Sequence, residues 1–302
     1  MPRLRAEIRA RLPLAALVAA GFVAAGCDGS AHAPDAQTPI SAASAELSVR
    51  FDVAADKPPT VSVLGFRAAT AGPEGEDVLG LVDPLSAAAP DQGCVLRDVD
   101  EATSALVARG SSIDLEELSG VGVGFGPADP LMRPFPRVFP DVAGVVGGVV
   151  AEAGPQSLGG LPEHMSLYSA DAELPIAEFT VPALPRLAAV NGIAPTAGAR
   201  IETSGGLTLT LSGAAGAIVE LRPFGATVAV TCAVPSNAST EAIVVVPRAL
   251  LAHLLHTRSG APGGVATSVE VARRVQIREP LAPGGARVSV EVRSALALEL
   301  RP

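Results

Sequence analysis

Three cysteines and four histidines supply most of the side chains with chemical potential in this 302-residue chain. Cys94 and Cys232 sit in strand-like surroundings, while Cys27 stands alone near the start. In an oxidising compartment the first two would form one disulfide; alternatively they are two buried free thiols, one in each half of the chain. A bridge would close a long loop, worth roughly 4–5 kcal/mol in the chain-entropy model, and would clamp the two halves together. His253 and His256 are three apart, so on a helix both fall on one face and could share a metal. Such a site needs a third or fourth ligand, and His164 is the one other histidine outside the N-terminal region. In a last helical turn the same pair would simply meet free carbonyls and the helix dipole, without a metal.

The remaining constellations are weaker. Asp98, Asp100 and Glu101 could offer oxygens to calcium, but they lack the ligand number and turn glycine of real calcium loops and read as a solvated acidic loop. Gly122, Gly124 and Gly126 form a Gly-x-Gly-x-Gly string. A phosphate-binding loop needs a helix after it, and Pro127 and Pro130 break any such helix, so tight turns are the expectation. Neither Gly-x-Ser-x-Gly nor His-Glu-x-x-His occurs. The sequence therefore names no catalytic residue and no cofactor. The enzymatic alternative is a metal-dependent envelope hydrolase built on His253, His256 and an acid.

The N-terminus carries Arg3, Arg5, Arg9 and Arg11 ahead of an uncharged run, Leu14 to Gly26. A positive flank followed by a short apolar core is the layout of an export signal. The run is 13 residues, against about 20 needed to span a bilayer as a helix. It ends Ala24-Ala25-Gly26-Cys27, which resembles the lipobox of bacterial lipoproteins, with Ala24 where leucine is usual. The resemblance covers about the first tenth of the chain. It implies that residues 1–26 are removed and that the Cys27 thiol is lipidated; the plainer alternative is an ordinary secretory signal cut near Gly26. Two or three acyl chains, at about 0.8 kcal/mol per buried CH₂, hold a protein durably on a membrane. Asp28 resembles the inner-membrane retention signal of enteric lipoproteins, a rule that does not transfer between bacterial groups, so either membrane remains open.

Without residues 1–26 the chain keeps 18 basic against 30 acidic side chains, a net charge of −12. Phosphate backbones and anionic lipid heads repel such a chain, which argues against nucleic acid as a partner. With no Trp and one Tyr, Tyr168, the sequence lacks both a sugar-stacking platform and the aromatic girdles of an outer-membrane barrel. The core must come from Val, Leu, Ile and Ala.

Residues 27–46 are small, polar and proline-dotted, the composition of a flexible tether. Period-two alternation follows, as in Leu47, Val49, Phe51 and Val53, and again at Thr60–Phe66, Cys94–Arg97, Ser112–Leu118 and Val121–Phe125. The prolines of residues 127–140 predict an irregular surface loop. Val142–Val150 reads as a buried, glycine-bulged strand or hairpin. Further on, Leu207–Leu211, Ile218–Leu221, Val228–Val234, Val269–Val271, Val275–Ile277 and Val288–Val292 read as short strands. Ala242–Val246 reads as a continuous buried run, and Pro247 as the opening of a short helix through about His256. Pro283-Gly284-Gly285 marks a hairpin turn.

The pattern predicts an all-β protein of two antiparallel β-sandwich lobes, an N-terminal one over 47–178 and a C-terminal one over 179–302 resembling immunoglobulin or fibronectin domains, with one short helix. The stretch from Thr231-Cys232 to Val246-Pro247-Arg248-Ala249-Leu250-Leu251, with Gly93-Cys94-Val95-Leu96 upstream, resembles uncharacterised two-lobed envelope lipoproteins of GC-rich bacteria. It departs from them where Ala233-Val234 replace an aromatic, and it implies a fold without an activity. The functional expectation is a lipid-anchored cell-envelope protein, structural or protein-binding, facing the periplasm or the cell surface. A further alternative is an export or assembly factor that receives a client strand on an exposed edge.

Overall fold

Alternating apolar residues dictate strands, and strands dominate the computed structural model. It describes residues 44–54, 57–70, 90, 93–98, 113–126, 131–142, 146–169, 175–237, 241–256, 264–279 and 285–302. Cys27, the expected export signal of residues 1–26 and most of the expected tether of residues 27–46 lie outside the described residues, as do Asp100, Glu101, Pro127 and Pro130. In chain order the first nine strands are β1 (Ser44–Val53), β2 (Thr60–Thr70), β3 (Cys94–Asp98), β4 (Ile113–Glu117), β5 (Val121–Gly124), β6 (Phe135–Val142), β7 (Val146–Ser157), β8 (His164–Ser169) and β9 (Ala177–Thr180). They are followed by β10 (Arg186–Val190), β11 (Ala199–Glu202), β12 (Leu207–Ser212), β13 (Ile218–Pro223), β14 (Val228–Ala233), β15 (Glu241–Val246), helix α1 (Arg248–His256), β16 (Val265–Glu279) and β17 (Ala286–Arg301).

One 11-stranded sheet runs in the order β3-β14-β13-β16-β17-β1-β2-β4-β7-β6, with β11 also paired to β17. Two three-stranded sheets, β5-β8-β9 and β10-β12-β15, pack against it. The fold is all-β and sandwich-like, with two large cores and a smaller third cluster of Phe66, Ala68, Ile113, Leu115, Val146 and Val150 on β2, β4 and β7. In the first, Leu47, Val49 and Phe51 of β1 and Val288, Val290 and Val292 of β17 meet Val123, Met165, Leu167 and Phe179 of the β5-β8-β9 side. Phe51 and Phe125 stack edge to face there, with ring centroids 5.5 Å apart. In the second, Leu207, Leu209 and Leu211 of β12 meet Val219, Leu221, Val230, Val271, Leu298 and Leu300 of the large sheet, with Leu251 and Leu254 of α1 closing one end.

The boundary expected at 178/179 separates most of the two cores but not the hydrogen bonding. β3 pairs with β14, and β1 pairs with β17, across that boundary. The strand β17 serves both cores, its first half the one and its last residues the other. Ile40–Pro302 accordingly forms one compact unit.

Four local expectations differ from what is observed. Pairing is mixed: β1–β17, β11–β17 and β4–β7 are parallel. Strands this far apart in the chain have no short turn to force them antiparallel. The proline-rich stretch is partly a strand, because β6 is the last strand of its sheet, where a missing N–H can face away from the ladder. The run Val142–Val150, by contrast, forms the hairpin that was one of its two expected readings, with Val142 of β6 paired to Val146 of β7. The run Ala242–Val246 buries alternate residues only, with Ile243 68% and Val245 63% exposed. Val269–Val271 and Val275–Ile277 are one 15-residue strand, hydrogen-bonded along its whole length to β17.

Candidate functional site

Cys94 and Cys232 face each other across the β3–β14 ladder and are bonded, with Cα atoms 4.0 Å apart. The Ala233 N–H donates to the Gly93 carbonyl beside them (2.9 Å), which makes this a non-hydrogen-bonded register position, where facing Cα atoms lie closest. The bridge spans a sequence separation of 138 and ties the outermost strand of the large sheet to its neighbour. Cys232 is buried in the second core, whereas Val95 beside Cys94 is exposed.

The helix α1 forms where the sequence placed it, after Pro247, whose carbonyl accepts the N–H groups of Leu250 and Leu251. Its buried side is Leu251, Leu254 and Leu255, which turns His253 and His256 to solvent in the last turn. His164 is exposed at the start of β8. Among the described residues no group of three or more His, Cys, Asp or Glu side chains is arranged to hold a metal.

The glycine string takes a different role from the expected turn. Gly122 and Gly124 lie within β5, where Leu131 and the Tyr168 ring pack directly on the strand. A Cβ on Gly122 would stand 3.2 Å from Leu131 Cδ2, and one on Gly124 would stand 3.0 Å from Tyr168 Cε2. These glycines admit side chains rather than phosphate.

On β1 and β17 the face of the large sheet turned away from the two larger cores carries charges. On β1 the outward residues are Glu46, Ser48, Arg50 and Asp52; beside them on β17 stand Arg287, Ser289, Glu291 and Arg293. Glu46, Glu291 and Arg293 are nonetheless buried. Arg274 of β16 reaches Glu291 through Nε at 2.9 Å, Arg293 donates to the same carboxylate, and Arg287 stands 3.6 Å from Glu46. Buried charges persist only when paired in this way, because each costs several kcal/mol to desolvate. The Arg274–Glu291 and Arg287–Glu46 pairs form across strands, which sequence spacing does not show.

Further along the same face Glu220 of β13 lies directly opposite Glu270 of β16. Burial pushes the Glu220 carboxyl above its usual range and Glu270 adds to the rise, while the Arg222 guanidinium, 2.8 Å away, opposes it. Burial also lowers the Arg97 guanidinium's pKa, with Glu220 working against the fall.

A cavity of about 320 Å³ opens beside β1, β2, β6 and β7, with Ser48, Arg50, Ser62, Arg137, Phe139 and Glu152 in its lining. Arg137 is held by Glu152 at 2.5 Å and Arg50 by Asp52 at 3.2 Å. Two guanidiniums and two hydroxyls suit a small anionic group, although the paired carboxylates already take up much of that charge. The described lining contains no histidine or cysteine, hence no nucleophile–base pair of those types.

No family model, no curated protein and no solved structure matches this chain.

Proposed function

We propose that this is a non-enzymatic, lipid-anchored protein of the bacterial cell envelope whose β lobes act by binding other envelope proteins. The observation that carries the reading is the Cys94–Cys232 bridge. Structural disulfides form and persist outside the reducing cytosol, so the bridge fits a chain that is exported. The charged-then-apolar N-terminus ending at Cys27 supplies the export signal, and the lipobox-like Ala24-Ala25-Gly26-Cys27 supplies the anchor. Residues 27–46, by composition, give a tether with an r.m.s. reach of roughly 25 Å, enough to hold the β lobes clear of the lipid heads. No helix among the described residues is long and apolar enough to cross a membrane, so in this reading the acyl chains alone provide attachment.

The binding role rests on chemistry and surface. His164, on β8, is remote in sequence from His253 and His256 on α1, all three are exposed, and the buried carboxylates Glu46 and Glu291 are engaged by arginines. Exposed apolar residues instead stand on strands, at Phe135 and Val138 of β6 and at Ile243 and Val245 of β15. The net charge of −12 disfavours nucleic acid.

Metabolic labelling with a palmitate analogue tests the anchor. The wild-type chain is expected to take up label and to fractionate with membranes, whereas Cys27→Ser does neither. Equal labelling of the two would end the proposal.

A further inference from the structure

Asn191 and Gly192 form a tight reversal directly after β10. Val190 and Ile193 on either side bond to each other through both backbone groups, at 2.8 and 3.0 Å. The two residues between them have φ of 49° and 78°. Positive φ at both central positions is the type I′ turn, which favours Asn followed by Gly. Among the described residues Asn191 is the one non-glycine with positive φ.

The Asn191 side chain replaces backbone that the turn takes away. β10 pairs with β12 as far as Val190 opposite Leu209, so the next pair would be Asn191 with Thr208. The Asn191 N–H does donate to the Thr208 carbonyl (2.8 Å), as in a continuing ladder. The return bond, from the Thr208 N–H, goes to Asn191 Oδ1, again at 2.8 Å. Asn191 Nδ2 donates to the Glu202 carbonyl at the end of β11 (3.1 Å) and to the Gly206 carbonyl just ahead of β12 (3.4 Å). One amide thus clasps β10, β11 and β12. An amide offers an acceptor and two donors together, whereas a carboxylate has no donor.

The same dipeptide carries a reactivity. The Gly192 backbone nitrogen, once deprotonated, can attack Asn191 Cγ. A C–N bond forms, the Cγ–Nδ2 bond breaks, and the nitrogen departs as ammonia with the proton that Gly192 gave up. Water then opens the cyclic imide at either carbonyl, leaving aspartate or isoaspartate. Glycine has no Cβ to hinder the attack, and both residues are exposed, so water and base reach them. In the folded chain, however, ring closure must turn Cγ away from Thr208 and from two carbonyls at once. The clasp therefore opposes the reaction, and unfolding removes that opposition.

We propose that Asn191 is a modification site gated by the fold: its amide persists while β10, β11 and β12 stay joined and converts irreversibly once that corner opens. The product cannot rebuild the clasp. A carboxylate keeps an acceptor for the Thr208 N–H but sets a charged oxygen against the Glu202 and Gly206 carbonyls, and isoaspartate also lengthens the turn backbone. Refolding does not reverse such a step, so each opening of this corner puts the native state at stake.

The test holds the full-length chain in detergent at mildly alkaline pH, with and without enough urea to unfold it. Mass spectrometry of the peptide containing residue 191 scores the conversion. Denatured chain is expected to convert at least tenfold faster than folded chain, and a smaller ratio overturns the proposal. Gly192→Ala, compared with wild type in urea, is expected to slow conversion at least tenfold. An unchanged rate there would show that the glycine does not supply the reaction. Asn191→Asp is expected to melt below both wild type and Asn191→Gly, which keeps the turn but sets nothing against the two carbonyls. An aspartate variant as stable as wild type overturns the clasp. Should that variant not fold, the folded-to-denatured ratio, measured on wild type alone, decides.

Discussion

Burial pushes the Glu220 carboxyl above its usual range, and it faces a second carboxylate, Glu270, across the ladder. A group whose folded pKa is raised lends its stability below the ordinary carboxyl range and loses it as pH climbs through the raised value. The wild-type protein should therefore lose stability over that interval relative to Glu220→Gln, which cannot ionise. Melting temperatures of the two proteins across an acid-to-neutral series check this: the advantage of the glutamine variant is expected to grow with pH. A difference independent of pH would mean that Arg222 compensates the buried charge fully. Single residues were unevenly legible in the sequence. The two bridging cysteines were visible as candidates, because few other residues of that type exist in the chain. The buried arginine–glutamate pairs were not, since Glu291 and Arg274 are 17 apart and meet only through the β16–β17 register.

Among elements, β3 depends most on a single bond. It is five residues long, lies at the margin of its sheet and, among the described strands, has only β14 as a hydrogen-bonding neighbour. Removing the bridge by Cys94→Ser with Cys232→Ser should cost about 2–5 kcal/mol, the usual range for native disulfides. Hydrogen exchange should then rise first in the backbone of Cys94–Asp98, with β12 and β17 protected as before. Uniform loss of protection, or none, would show that the bridge does not act through β3. Strand existence was readable wherever apolar residues alternate, as in β1 and β12, whose interiors follow the pattern. Edges were not readable, because what lets β6 tolerate Pro136 is its terminal place in the sheet order. That place is set by long-range pairing, and local sequence carries no record of it.

At the scale of the whole molecule, two cores share one strand. Val290 belongs to the first and Leu298 to the second, both on β17 and both essentially buried. The expected division at 178/179 came from composition and turn spacing, whereas the pairing of β1 with β17, far apart in the chain, is invisible to any local window. Such pairing has a thermodynamic consequence. If β17 cannot lose its place in one core without disturbing the β1 and β16 ladders that run along it, the two lobes should unfold together. Val290→Ala and Leu298→Ala are each expected to lower one and the same thermal transition. The leucine change should cost about 2–5 kcal/mol, and the valine change, which removes fewer methyl groups, somewhat less. Calorimetry of the three proteins decides it. Two resolved transitions, each moved by only one of the substitutions, would mean that β17 joins two independent domains rather than one cooperative unit.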